Sequence, residues 1–149
     1  MVLLEYKKAR LKYAVDETYQ GGLALTGAEV KALRAKMGSL EGSHVVVRAG
    51  EAYLVGATIP PYQAANTKKG YDPERSRKLL LKKEELHDLA RAEDRKGLTI
   101  VPLEVYTSGR NVKIRIAVVH GKGKADKRED IKKRDALRDS ERESKSSNR

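Results

Sequence analysis

Apolar residues along the chain change period several times, and each change marks an element. Leu11, Tyr13 and Val15 alternate with Lys12, Ala14 and Asp16, which predicts a half-buried strand. Gly21-Gly22 interrupts that pattern and residues 23–25 resume it. Thr26 followed three positions later by Glu29 is the spacing of a capping box, so a helix is predicted from Gly27. Val30, Leu33 and Met37 form its buried face, and Gly38 supplies a left-handed closing position. Residues 43–47 and 51–59 then read as two strands of a hairpin around Arg48-Ala49-Gly50, stopped by Pro60-Pro61. Residues 62–77 show no apolar period and are predicted as a long polar loop. A brief strand over 78–81 precedes a helix over 83–94, whose Leu86, Leu89 and Ala90 share a face and whose end is marked by Gly97. The clearest hairpin joins residues 98–106 to residues 112–119 through the turn 107–111. In its second strand Val112, Ile114, Ile116 and Val118 alternate with Lys113, Arg115 and Ala117. Pro102 cannot donate to a ladder, so an edge or a bulge is expected there. The pattern is that of an α+β chain, mainly β, with one small core.

Beyond His120 the pattern stops. Residues 121–149 carry eleven basic and seven acidic residues, with Ile131 and Leu137 the sole large apolar side chains. So few cannot offset the entropy of ordering the segment, and a basic tail disordered when free is expected. Two units follow, a folded domain over 1–120 and a tail over 121–149. Opposite charges at helical spacing, such as Asp130 with Arg134, would let the tail become helical against a polyanion.

Charge sharpens this picture. Lys and Arg number 32 against 21 Asp and Glu, a net charge of +11 on 149 residues, and the pI is about 9.8; a nucleic acid is the partner such a balance favours. Lys31, Arg34 and Lys36 lie around the helix that starts at Gly27, and Lys7, Lys8 and Arg10 form a basic N-terminal arm. Each group is either a solvated surface or a surface for phosphates. With no Cys, disulfides and thiolate zinc sites are excluded. The N-terminal apolar run is short and precedes the cations, the reverse of a secretory signal, and about 18 apolar residues never run together. A cytoplasmic protein without a membrane anchor is expected.

Enzyme motifs are not found. His44, His87 and His120 are scattered, no Ser occupies a nucleophile elbow, and Gly121-Lys122-Gly123-Lys124 lacks the spacing and the Ser or Thr of a P-loop. Its glycines either loosen a linker or let the backbone approach a phosphate closely. No cofactor or metal is expected. Seven Tyr and no Phe or Trp make base stacking a minor expected contribution beside phosphate contacts.

The runs LALTGAEVKALRAKMGSLEGSHVVV, YDPERSRKLLLKKEEL and GKGKADKREDIKKRDA, in that order and at this spacing, resemble the small protein B family, the transfer-messenger-RNA-binding proteins of bacterial trans-translation. The resemblance extends from about Lys7 to Arg138. It implies an oligonucleotide-binding-type antiparallel β-barrel with flanking helices, binding to the tRNA-like domain of transfer-messenger RNA, delivery of that RNA to stalled ribosomes, and no catalysis. By the family's motifs, Glu29, Lys31 and Arg34 and then Arg75, Arg77 and Lys78 are candidate RNA contacts, together with Lys36 and the arm residues. The junction adds Lys122, Lys124, Lys127 and Arg128. Asp126, Lys127, Arg128, Lys132, Lys133, Arg134 and Arg138 are candidate ribosome contacts of the tail. A monomer is expected. The chain departs from the family at Tyr6 and Leu11, where the family has Asn and His, so contacts made by those two residues do not carry over. Glu29 has two readings, an acceptor for RNA or the reciprocal cap of its helix; on the capping reading Glu29→Gln would be tolerated. The competing class is a general ribosomal RNA-binding protein with no preference for a tRNA-like fold. Binding to anionic membranes is disfavoured because the tail has no apolar stripe to insert.

Overall fold

A computed structural model describes residues 1–63 and 69–121. Seven strands and three helices follow one another as β1 (Val2–Glu5), α1 (Ala9–Lys12), β2 (Tyr13–Leu23), α2 (Gly27–Arg34), β3 (His44–Arg48), β4 (Glu51–Val55), β5 (Arg77–Leu80), α3 (Lys83–Asp94), β6 (Leu98–Ser108) and β7 (Asn111–Gly121). The strands form one antiparallel sheet in the order β1-β6-β7-β2-β5-β4-β3. The order is open, because no described pairing joins β1 to β3. The sheet nevertheless curves enough that β3 packs against β6, with α3 lying over both. No helix among the described residues is long and apolar enough to cross a membrane.

The β6–β7 hairpin is the spine. Its connection is tighter than the predicted turn, since Thr107 and Ser108 stay in the ladder opposite Val112 and Asn111 and leave Gly109-Arg110 as a two-residue loop. Gly109 has a φ of +60°, which suits such a loop to the right-handed twist of the strands. The ladder slips between Pro102 and Glu104, the bulge that a residue without an N–H demands. From Ile116 to Val119 four successive side chains are buried, so β7 is covered on both faces there and loses the alternation read from Val112 onward. The 48–51 turn is likewise a two-residue loop, with Ala49 and Gly50 both at positive φ.

Strand β1 goes beyond the elements read from the sequence pattern, and three expectations change. The N-terminal apolar run is strand β1, pairing with β6 and burying both Leu3 and Leu4; four residues are too short for a periodic signal. Leu11 belongs to the short helix α1, not to a strand. Val15 is 43% exposed, so of the predicted alternation Tyr13 alone packs on the core. A bulge between Val15 and Glu17 in the pairing with β7 then changes the phase of the side-chain alternation in the rest of β2. Gly21-Gly22 does not interrupt β2 but continues it, pairing with β7 and, at Gly22, with β5.

The glycines of β2 are there for space. A Cβ on Gly21 would stand 2.5 Å from Leu81 Cδ2 and 2.8 Å from the Leu80 carbonyl oxygen. The backbone contact cannot be relieved by a rotamer change. Gly21→Ala is therefore expected to lower unfolding free energy by about 1–3 kcal/mol through overpacking. Urea denaturation measures it, and an unchanged midpoint would mean that β2 and β5 do not approach this closely.

Candidate nucleic-acid interface

Helix α2 begins as its sequence dictates. Thr26 Oγ1 accepts from the Glu29 backbone N–H at 3.3 Å, and Glu29 Oε1 accepts from the Thr26 N–H at 2.9 Å. Both halves of the capping box are present, which fixes the first turn. Leu33 and Ala32 are buried, with Val30 and Met37 packed beside them. The far end differs from expectation. Ala35 is the cap residue, the Lys36 N–H donates to Leu33 O at 2.8 Å and the Met37 N–H to Ala32 O at 3.0 Å. That pair of bonds is a Schellman motif. Its left-handed position is held by Lys36, with φ of +60°, where Gly38 was expected. Gly38 has a separate duty. It runs at φ +124° beside the Thr58 carbonyl, 2.9 Å from where a Cβ would be, next to the bridge between Ser39 and Thr58.

Glu29 is more than a cap. Its carboxylate is 1% exposed and accepts from Arg77 Nε at 2.6 Å and from the Arg75 guanidinium. Arg77 is itself 0% exposed. Its remaining donors reach the carbonyls of Ala57 at 3.0 Å, Arg75 at 3.0 Å and Pro73 at 2.8 Å. Burial alone would raise the Glu29 pKa; the Thr26 N–H and the two guanidiniums outweigh it and leave the net pKa below the ordinary value of 4.5. The capping reading of Glu29 thus holds but is incomplete. Glu29→Gln would strand two cations, one of them fully buried, and the tolerance expected from capping alone does not apply. Arg77, a candidate RNA contact by motif, is enclosed with every donor group directed into the protein.

The DPERSRK motif divides three ways. Arg75, 38% exposed in its side chain, opens onto the surface beside α2. Arg77 turns inward. Lys78 points to the opposite face of β5 and pairs across the sheet with Glu51 at 3.3 Å. Lys31 and Arg34 are exposed on α2, and Lys36 is exposed just past its C-cap. Lys7 and Lys8 line a shallow depression with Gly38 and Glu41, just past the C-terminus of α2. The Lys8 ammonium pairs with Glu41 at 3.1 Å, an exposed contact that contributes at most about 1 kcal/mol and yields readily to a phosphate. Arg10 is exposed on α1. Arg75, Lys31, Arg34, Lys36 and the arm lysines therefore line α2 from its first turn to just beyond its last. At about 1.5 Å per residue, the eight helical positions alone extend this basic strip over roughly 12 Å.

At the N-terminal end of α2 lies a groove of about 670 Å³, lined by Gly27, Lys31, Tyr62, Tyr71 and Arg75 among others. Lys31 Nζ sits 5.4 Å from the centre of the Tyr62 ring, within cation–π range. Neither tyrosine was singled out from sequence; an aromatic in a polar loop gives no periodic signal. Tyr6, where the family resemblance expects Asn, is a core residue whose N–H donates to Leu103 O at 2.8 Å. Leu11, in the place of His, is exposed on α1. No cluster of three metal-ligating side chains occurs among the described residues. Lys122, Lys124, Asp126, Lys127, Arg128, Lys132, Lys133, Arg134 and Arg138 lie outside the described residues, and with them the expected tail.

Comparison with known proteins agrees on one family. The family model for SmpB protein matches residues 3–146. The chain is 43% identical over 141 residues to an SsrA-binding protein of Roseiflexus sp., covering 95% of this chain and 89% of the relative. It is 46% identical over 140 residues to that of Lactiplantibacillus plantarum, covering 94% and 89%. Among solved structures it is similar to a chain described as "tmRNA-SmpB: a journey to the center of the bacterial ribosome", with a TM-score of 0.68 and 41% identity over 80% of this chain and 84% of that one.

The buried carboxylate generates a pH prediction with a definite sign. Because the folded-state pKa of Glu29 lies below its ordinary value of 4.5, its contribution is complete above that value and is lost as pH falls through the folded pKa. Glu29→Gln should cost about 3 kcal/mol or more near neutral pH, and the gap to wild type should narrow as both are titrated below pH ~4.5. Chemical denaturation across that range tests this; a pH-independent gap would remove the ionised carboxylate from the account. Lys36→Gly should instead stabilise the fold, by about 1 kcal/mol, by releasing left-handed strain. A lowered melting temperature for that variant would contradict the Schellman assignment.

Proposed function

The chain belongs to the SmpB protein family, and we propose from that membership that it binds the tRNA-like domain of transfer-messenger RNA and helps deliver it to stalled ribosomes. The similarity to SsrA-binding proteins over 95% of the chain carries this reading, and the basic strip along α2 gives it a physical site. Lys31, Arg34, Lys36 and Arg75 contact phosphates, and Lys7, Lys8 and Arg10 extend the contact at one end. Glu29 and Arg77 act behind this surface by holding Arg75 and the start of α2 in place. Lys78, on the far face of β5, serves a separate contact.

The finer architecture proposed is an oligonucleotide-binding-type barrel, favoured by the curvature that packs β3 against β6. A folded RNA offers phosphates and 2′-hydroxyls to such a surface, while its major groove stays closed to side chains. Residues 1–120 form the binding domain. Residues 121–149 act on the ribosome: Lys122, Lys124, Lys127 and Arg128 continue the RNA contact, and Asp126, Lys132, Lys133, Arg134 and Arg138 order against ribosomal RNA. The protein works by binding, without catalysis, in the cytoplasm where ribosomes are.

The experiment is competitive binding at fixed salt, paired with peptide tagging on ribosomes stalled at a messenger's end. The full chain should prefer the tRNA-like domain over ribosomal RNA fragments. Arg34→Ala should retain the fold and lower the log–log salt slope by about 0.7–0.9, one phosphate contact. A fragment ending at His120 should keep part of the RNA affinity and lose tagging. Equal affinity for ribosomal RNA fragments would favour a general ribosomal protein, and full tagging by the fragment would remove the tail from delivery.

A further inference from the structure

The groove at the start of α2 contains more than phosphate binding requires. Tyr62 is a large aromatic left 42% exposed, and the chain that leads to it is constrained. Pro60 and Pro61 precede it with fixed φ. Ile59, just before them, donates its N–H to Pro73 O at 2.9 Å and accepts from the Tyr71 hydroxyl at 2.7 Å. The stem that presents Tyr62 is thereby tied at two points to the segment carrying Arg75, and Arg75 is tied in turn to Glu29. The groove is roomy at two of its lining glycines: a Cβ on Gly27 or on Gly70 would meet nothing within 4 Å among the described residues. Lys31, its ammonium over the ring, and Arg75 bring positive charge to the groove; of the two carboxylates that line it, Glu29 is satisfied by its two arginines and Asp72 accepts from the Glu74 N–H at 2.9 Å. The volume, about 670 Å³, falls within the usual range for small-ligand sites.

An exposed aromatic face, flanking cations and an open groove match an unstacked nucleobase with its own phosphate. We propose that this groove receives one flipped-out nucleotide of the bound RNA, its base on the Tyr62 ring and its phosphate between Lys31 and Arg75. The inference rests on the RNA-binding reading and adds to it a stacking contact that the scarcity of aromatics argued against. The cations supply the salt-dependent part of binding, and Tyr62 supplies a salt-independent part.

The test uses the full-length chain and a transcript of the tRNA-like domain of transfer-messenger RNA, with affinity measured over a series of salt concentrations for wild type, Tyr62→Phe and Tyr62→Leu. Tyr62→Leu should bind about five-fold or more weakly at every salt concentration with the slope unchanged, since stacking is lost and no charge is. Tyr62→Phe, which keeps the ring, should stay within about two-fold of wild type. Melting temperatures of the variants separate a binding loss from a folding loss, and the Phe variant keeps the test open if the Leu variant is unstable. Wild-type affinity in Tyr62→Leu, or a loss shared equally by Tyr62→Phe, would overturn the stacking site while leaving the RNA-binding reading intact. Failure of the wild type to prefer this transcript would instead overturn that reading.

Discussion

A carboxylate taken out of water must be compensated where it lies, and in this chain that requirement falls on Glu29. Isolated, a buried carboxylate would take up a proton. Here it accepts from one backbone amide and two guanidiniums, charge-assisted contacts that are shorter and stronger than neutral ones. The network is also a set of distance constraints. Arg77 joins α2, through Glu29, to the carbonyls of Ala57, Pro73 and Arg75, so one buried side chain fixes the helix, the end of the β3–β4 hairpin and the loop entering β5. Removing any member leaves a charge without its partner, and such losses exceed what an exposed pair like Lys8 with Glu41 contributes.

The surface cations inherit their positions from that interior. Arg75 is at once a partner of Glu29 and a wall of the groove. Lys31 follows the capping box by two residues, so its direction is set by the first turn of α2. Lys36 holds its place through an unfavourable left-handed backbone, retained because two hydrogen bonds close the helix around it. Phosphate contacts depend on where charge is presented as well as on how much there is. A network that fixes one helix relative to one loop is therefore also a device for presenting charge.

Local rules were legible from sequence where local rules decide the outcome. The capping box, both hairpins, the bulge at Pro102 and helix α3 follow from a few neighbouring residues. The misses are tertiary. Leu3 and Leu4 form a strand because β6 offers an edge; Gly21 is required by the approach of β5; the alternation of β2 changes phase beyond Val15 because a bulge follows it. Arg77 shows the limit most clearly. Motif and charge put it with Arg75 and Lys78 as a surface cation, yet alternation along β5 turns it inward, onto a carboxylate 48 positions earlier in the chain. A basic residue in a strand that alternates Arg77, Lys78, Leu79 and Leu80 shares its face with Leu79, and that is the available sequence signal. For Tyr62 there is no such signal, since its exposure and its neighbours depend on how the loop folds back on α2.

The most direct measurement is a double-mutant cycle between Glu29 and Arg77, using Glu29→Gln and Arg77→Met, read on unfolding free energy and on affinity for the tRNA-like domain. Arg77 is 0% exposed, so any effect of its replacement on RNA binding must pass through the positions of other groups. Each single variant should lose both stability and affinity, the double variant should lose less than the sum in both, and Arg77→Met, although it removes no exposed charge, should lower the salt slope because displaced cations make fewer phosphate contacts. Additive stability losses, or full RNA affinity in a folded Arg77→Met protein, would contradict the claim that the buried pair positions the RNA-binding surface.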